Sequence, residues 1–217
     1  MTEDHTIPLR CRCGHVHGTA NIVARNAGFR FICYCRDRQA FARFLQRPDV
    51  LDSAGGTDIF HMPAGRVKLA AGTDAVRCLH FSKTVFRWYA DCCRTPIANT
   101  AGASFPVVGL IHAFMDHKTD GSSRDERLGA PLCRIFEQSA TGPLPPNAPP
   151  PRSVGLVAVR FRHCSAGGGA GSAGPIRFST VRCVRRSRSR ASSRRASALA
   201  SVHDRAGALT MIRCAGD

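Results

Sequence analysis

The sequence has no long apolar run, and we expect no secretory leader. Nothing in it approaches the roughly 18–20 consecutive apolar residues that a membrane-spanning helix needs. Met1–Arg10 is charged and polar, without the apolar segment of a signal peptide. We therefore expect a cytoplasmic protein with no membrane partner.

Acidic residues are fewer than basic residues, and most of the resulting positive charge lies late in the chain. Residues 1–130 carry 17 Lys and Arg against 12 Asp and Glu, whereas residues 131–217 carry 14 against 3. The later part also lacks the interleaved aromatic residues on which a reader of single-stranded nucleic acid stacks bases. We expect non-specific contact of this Arg-rich part with phosphate groups and no specific nucleic-acid partner.

Cysteine, by contrast, is plentiful, with eleven residues, and six of these come in three close pairs. In a reducing cytosol, paired cysteines indicate a metal or redox site more than a disulfide framework. Thiolates are soft ligands and suit zinc. The alternative is that these thiols are buried and act as small hydrophobic residues. The pairs are Cys11 with Cys13, Cys33 with Cys35, and Cys92 with Cys93.

Short alternating segments separated by Gly and Pro turns predict a mainly β domain with one short helix. We expect two strands around Cys11–Gly14 to form a knuckle that turns both thiols toward one point. The period changes after Cys35, which predicts a helix with Asp37 as its N-cap that ends before Pro48. The apolar run from Phe105 to Phe114 predicts a long strand or a strand pair.

Composition divides the chain into three parts. Residues 1–117 form the predicted zinc-binding β domain. Residues 118–152 are polar and rich in proline, which predicts a linker. Residues 153–217 are dominated by Arg, Ser, Gly and Ala, which predicts a disordered tail. A second hypothesis is that a single-base shift near residue 130 puts this tail out of frame.

Four segments together resemble the glutathione-dependent formaldehyde-activating family, which includes centromere protein V-like proteins. The resemblance covers about residues 8–116 and points to an uncharacterised bacterial subgroup. It implies an Mss4-like β-tent fold, a structural zinc, a second zinc, and carbon–sulfur lyase activity on a glutathione–aldehyde adduct. The segments are CRCG, CYCRD, GGTDIF and RWYADCC with the TP that follows it.

The resemblance also implies ligands, and this chain departs from it twice. Cys11, Cys13 and Cys93 match the first site, but the fourth ligand position is Ala90, for which Cys92 is the substitute. Cys33 and Cys35 match the second site. Its third position is Arg38, which cannot bind a metal because a guanidinium stays protonated.

Two functions compete. The first is a zinc-dependent lyase acting on a small glutathione-like thiol adduct, with zinc on Cys33 and Cys35 as Lewis acid. The catalytic residues are unknown, and no general base can be assigned. Arg38 favours the alternative, a non-catalytic structural zinc module on the other four cysteines with a degenerate second site that is vestigial or redox-active.

Overall fold

The computed structural model describes residues 4–23, 28–81, 84–102, 106–117, 121, 123–155, 157 and 183–185. These residues form two β-sheets and two α-helices, so the prediction of a mainly β fold is confirmed. The sequence predicted one short helix, and the structure adds a second. The elements are β1 (His5–Arg10), β2 (His17–Ile22), β3 (Phe29–Cys33), α1 (Arg36–Leu45), β4 (Thr57–Pro63), β5 (Val67–Ala71), β6 (Val76–His80), β7 (Phe86–Ala90), β8 (Thr95–Thr100), β9 (Val107–Ile111), α2 (Arg124–Leu128), β10 (Cys133–Ile135) and β11 (Cys183–Arg185).

The small sheet has the order β1-β2-β5 and is antiparallel throughout. Its strands alternate, so that Ile7, Leu9 and Ala20 face inward and are buried. Gly18 is required by close packing, because a Cβ atom there would lie 2.0 Å from the backbone oxygen of Lys68. The absence of a side chain at Gly18 therefore allows β2 to approach β5.

The large sheet has the order β10-β3-β4-β9-β8-β7-β6-β11. Strands β10 and β11 run parallel to their neighbours, and all other pairs are antiparallel. Its inner face packs against the small sheet through Phe60, Met62 and Trp88. The buried Trp88 indole donates a hydrogen bond to the Thr100 hydroxyl at 3.0 Å, which satisfies its polar atom. This packing forms the larger core of the domain.

The opposite face of the large sheet, the helix face, is covered by α1. Phe41 and Leu45, four residues apart on one side of the helix, pack against Leu79, Tyr89 and Ile111 of the sheet. This spacing is the apolar stripe that an amphipathic helix needs. The helix therefore holds its N-terminal turn, together with the preceding Cys35, against the middle of the sheet.

The N-cap of helix α1 lies two residues before the one that the sequence predicted. It is Cys35, not Asp37, because Cys35 keeps an extended backbone and its carbonyl accepts the N–H of Arg38 at 3.0 Å. Asp37 lies in the first turn, where a carboxylate suits the positive end of the helix dipole. The helix ends at Leu45, and the C-cap Gln46 is left-handed with a φ of 56°.

The run from Phe105 to Phe114 contains one strand, β9, followed by a short 3₁₀ turn, and not a strand pair. Phe105 itself lies outside the described residues. Strand β9 is buried along its whole length in the large sheet. No helix within the described parts of the chain is long and apolar enough to cross a membrane.

Residues 118–152, predicted as a linker, contain α2 and β10. Ser123 and Glu126 form a capping box at the start of α2, and β10 pairs with β3 as an edge strand of the large sheet. The domain boundaries stay a prediction. The predicted tail, residues 153–217, lies outside the described residues except for 153–155, 157 and 183–185. The reading-frame hypothesis and the phosphate contact also stay predictions.

Candidate metal centre

The first pair of thiols lies in the turn between β1 and β2. The N–H of Gly14 donates to the carbonyl of Cys11 at 2.9 Å, and Gly14 has the positive φ of 82° that this tight turn requires. The N–H of Val16 donates to the Cys11 sulfur at 3.2 Å. Cys11 is buried and Cys13 is exposed, so the knuckle opens toward the surface.

The second pair lies in the turn between β7 and β8. Arg94 closes this turn with a φ of 58°, and the chain then enters β8 at Thr95. The Thr95 hydroxyl accepts the N–H of Arg12 at 3.0 Å and lies 3.1 Å from the Cys93 sulfur. Thr95 therefore ties the two turns together and brings Cys92 and Cys93 to the knuckle.

The four sulfurs form one compact group, which we call the four-thiol cluster: Cys11, Cys13, Cys92 and Cys93. All four lie within 4.8 Å of one another. The pairs Cys11–Cys13, Cys11–Cys92 and Cys92–Cys93 are 3.5, 3.9 and 3.9 Å apart. Tetrahedral zinc with Zn–S bonds of about 2.3 Å requires sulfur–sulfur separations of about 3.8 Å. The cluster could hold a metal ion, and adjacent Cys92 and Cys93 both reach it.

Because the four thiols lie close together, their pKa values differ from one another. Burial, with hydrogen bonds from Cys13 and Cys11, raises the pKa of Cys92, and burial also raises the pKa of Cys11. Burial acts to raise the pKa of Cys93 as well, but hydrogen bonds from Thr95 and Cys13 outweigh it and lower the pKa to about 6. Four adjacent thiolates repel one another, so the four thiols do not all lose their protons together. A bound dication offsets this repulsion and favours the ionised form of all four.

The remaining predicted pair, Cys33 and Cys35, lies on the helix face. Cys33 ends β3 and is buried, Cys35 caps α1 and is half-buried, and their sulfurs are hydrogen-bonded to each other. In the described parts of the chain, only the four-thiol cluster gathers three or more metal-ligating side chains. The structure thus does not bring Cys33 and Cys35 to a third ligand, and their assignment as metal ligands stays a prediction.

Two guanidinium groups face this thiol pair. Arg38 and Arg87 are 8% and 3% exposed. The hydrogen bond from Cys33 is the largest factor lowering the pKa of Cys35 to about 5; burial opposes it, and the charges of Arg38 and Arg87 assist it. Burial and the neighbouring Arg38 lower the pKa of Arg87 to about 10. The pair therefore lies in a positive environment.

Four histidines, which as neutral imidazoles could in principle complete a thiolate metal site, lie elsewhere. His15 and His17 are near the knuckle but contact Asp74 and the Gly14 carbonyl. His80 packs on an aromatic ring. His61 is half-buried and packs between phenylalanine rings on the helix face, and desolvation lowers its pKa to about 3. None of the four belongs to the four-thiol cluster.

Sequence reasoning missed two groups of charged residues. The pattern around Arg87 predicts only an aromatic strand. A single Arg among the alternating residues that face a covering helix nevertheless indicates a buried charge. The pattern around Asp58 predicts only a turn. Asp58 lies beside a cavity of about 250 Å³ and is paired with Arg30 and Arg124. No spacing in the sequence links these three residues, which come from distant segments.

These features define a mainly β protein with a four-cysteine candidate metal centre. The chain belongs to a family of unknown function, DUF6151, whose model matches residues 3–170. None of the curated proteins matches the chain.

Proposed function

We propose that the chain is a zinc-binding protein in which one zinc ion on the four-thiol cluster stabilises the fold. The spacing of the four sulfurs carries this proposal. Four of the six sulfur–sulfur distances are 3.4 to 3.9 Å and bracket the tetrahedral value of about 3.8 Å, and all six lie within 4.8 Å. Four thiol ligands leave no open position for a substrate, which is the pattern of a structural site.

The position of the cluster supports a structural role. It joins the β1–β2 turn to the β7–β8 turn, segments that are 79 to 81 residues apart in sequence. A metal that joins distant segments contributes its binding free energy to folding, because the unfolded chain does not preform the site. The same argument supports an Mss4-like β-tent fold, in which the zinc joins the tips of two hairpins. Free thiols in such a site suit a cytoplasmic location, whereas the disulfide-bonded Cys78 does not favour it.

The zinc content of the purified protein tests the proposal. We expect one equivalent per chain, lost in Cys11→Ser and in Cys92→Ser and kept in Cys133→Ser. Cys133 is a suitable control because it is buried in a separate apolar cluster. A strong chelator should lower the melting temperature of the native protein, and added zinc should restore it. Absence of zinc from all preparations, including refolding with zinc, would contradict the proposal.

The second candidate is a carbon–sulfur lyase acting on a glutathione–aldehyde adduct. The half-buried Cys35 favours it, because a thiol that is not fully enclosed and lies beside two guanidinium groups could meet an anionic thiol ligand. It needs a second metal on Cys33 and Cys35, and Arg38 opposes a dication there. A second zinc equivalent that is lost in Cys35→Ser would favour the lyase over the structural module.

A further inference from the structure

The helix face buries a polar group of residues within an otherwise apolar surface. We call it the thiol–guanidinium cluster: Cys33, Cys35, Asp37, Arg38 and Arg87. Two of its members, Arg38 and Arg87, are more than nine-tenths buried. Of its two cysteines, Cys33 is buried and Cys35 is half-buried. Because burying charge is costly, the two guanidinium groups are expected to act on something inside the cluster.

The cluster holds more positive charge than its carboxylate can balance. Asp37 lies 3.7 Å from Arg87, whose Nη1 also donates to Asn99 at 2.9 Å. Three buried nitrogens still have no hydrogen-bond partner among the described residues: Nε and Nη1 of Arg38, and Nε of Arg87. The cluster thus contains one carboxylate and two guanidinium groups, and the remaining groups of the cluster that can carry a negative charge are the two thiols.

Another buried arginine shows what a structural guanidinium looks like in this fold. Arg30 is 6% exposed, similar to Arg38. It donates to Asp58 through Nε and Nη2, and to Asp125 and the Gly129 carbonyl through Nη1. All its nitrogens have acceptors. Arg38 has donors left over instead, and such donors are suited to an oxygen that enters the cluster.

We propose that Cys33 and Cys35 form a redox-active dithiol that reduces a small hydroperoxide, with Cys35 as the attacking thiol and Cys33 as the resolving thiol. The lesser burial of Cys35 assigns these roles, since an oxidant from solvent reaches a half-buried residue more readily than the buried Cys33. Contact between the two sulfurs lets the second step follow without unfolding. This activity is separate from the zinc of the four-thiol cluster and does not depend on it.

The reaction balances in two steps. The Cys35 thiolate attacks the terminal oxygen of ROOH, so that an S–O bond forms and the O–O bond breaks. The RO⁻ that leaves takes a proton and becomes ROH, and Cys35 becomes a sulfenic acid. The Cys33 sulfur then attacks the Cys35 sulfur, the S–S bond forms, and hydroxide leaves with the Cys33 proton as water. Two molecules of a small thiol, RSH, regenerate the dithiol and become RSSR.

The guanidinium groups account for the choice of a hydroperoxide. Negative charge develops on the leaving oxygen in the first step. The N–H groups of Arg38 and Arg87 that lack acceptors among the described residues can donate to this oxygen, and they do so in a site with little water. Arg38 and Arg87 also favour the thiolate of Cys35 by their charge. A single cationic environment therefore serves both the nucleophile and the leaving group.

The experiment uses the zinc-loaded full chain and hydrogen peroxide in stoichiometric amount. Intact-mass and peptide mass spectrometry should find a Cys33–Cys35 disulfide, reversed by a small thiol, while zinc content is unchanged. In Cys33→Ser, a sulfenic-acid trap such as dimedone should label Cys35. Cys133→Ser is the matched control, because Cys133 is a buried thiol in the same apolar cluster as Cys33. In this control the disulfide should form as in the native chain.

Two outcomes would overturn the proposal. One is oxidation that begins at the four-thiol cluster with zinc release while Cys33 and Cys35 stay reduced. The other is a second zinc held by Cys33 and Cys35 that blocks labelling of Cys35. Arg38→Gln, which keeps hydrogen-bonding groups but no charge, should slow sulfenic-acid formation at least tenfold with an unchanged melting temperature. Arg38→Lys should recover part of the rate. Equal rates in the native chain and both variants would show that Arg38 is only structural.

Discussion

The two thiol pairs that follow β1 and β3 have the same spacing but different surroundings. Cys11 and Cys13 meet a second pair of thiols from the β7–β8 turn, whereas Cys33 and Cys35 meet Arg38 and other charges under helix α1. A Cys-x-Cys pair by itself is therefore neither a zinc site nor a redox site. The element that folds onto the pair decides its chemistry.

Charge explains why the two surroundings lead to different uses. A dication removes the repulsion among four crowded thiolates, so the four-thiol cluster gains from a metal. Beside Cys35, the fixed charges of Arg38 and Arg87 already supply positive charge, so a dication would be repelled. Arg38 and Arg87 supply the Coulomb attraction for a thiolate that a metal ion would otherwise provide. Unlike a metal ion, these side chains cannot dissociate from the protein.

The largest expected difference between the two pairs is in stability. Cys92→Ser should lose zinc and with it about 4 kcal/mol, the value for a ligand present at about a thousand times its Kd. For a domain of this size the melting temperature should fall by about 8–16 °C. Cys35→Ser should lower it by less, because it removes a hydrogen bond and a negative charge beside Arg38 and Arg87 but no link between distant segments. Calorimetry of both variants with zinc present checks this, and equal losses would remove the distinction.

The next prediction tests whether Arg38 is what separates the two pairs. Arg38→Cys removes the cation and adds a third thiol, so we expect one additional zinc equivalent per chain by elemental analysis. Arg38→Ser removes the cation without adding a ligand and should gain none. If Arg38→Cys also gains none, the surrounding side chains, and not residue 38 alone, prevent metal binding at Cys33 and Cys35.

The pH dependence of alkylation distinguishes the two pairs next. Cys35 has its pKa lowered from 9.0 to about 5, so at pH 7 its reaction with iodoacetamide should be up to about 100-fold faster than that of an ordinary thiol. The rate should fall as pH drops through about 5. The facing charged or titratable groups are Cys33, Asp37, Arg38, His61 and Arg87, and His61, with a pKa near 3, stays neutral there.

The lowered pKa of Cys35 favours the folded state, and the raised pKa of its hydrogen-bonded neighbour Cys33 opposes this contribution. A thiol whose pKa is lower in the folded state than in the unfolded state stabilises the fold above pH 9.0, and this contribution is lost as pH falls through about 5. Arg38→Gln should move the alkylation midpoint upward. A midpoint near 9 in the native chain would contradict the thiolate that the hydroperoxide reaction uses.

The same elements show which features of the structure could be predicted from the sequence alone. Alternation of apolar residues predicted a mainly β fold, and the spacing of Phe41, Phe44 and Leu45 predicted α1, since local periodicity reports which faces are buried. A four-thiol candidate site could be predicted because few side chains besides Cys favour soft metals. The pairing of Arg30 with Asp58 was missed, because such contacts depend on strand order and not on any local pattern.

The smallest predicted effect concerns the hydroxyl group beside the four-thiol cluster. Thr95 is fully buried, and its hydroxyl lies 3.1 Å from the Cys93 sulfur while accepting the N–H of Arg12. Thr95→Val keeps the shape and removes these contacts, together with the hydrogen bond that Nη1 of Arg47 donates to the hydroxyl at 3.3 Å. Zinc affinity measured by chelator competition should therefore fall about tenfold. Thr100→Val is the matched control, because Thr100 accepts a hydrogen bond from Trp88 away from the thiols. It should lower stability by about 1 kcal/mol and leave zinc affinity unchanged. If both variants lose zinc equally, general loosening of β8, and not the contact with Cys93, sets the affinity of the cluster.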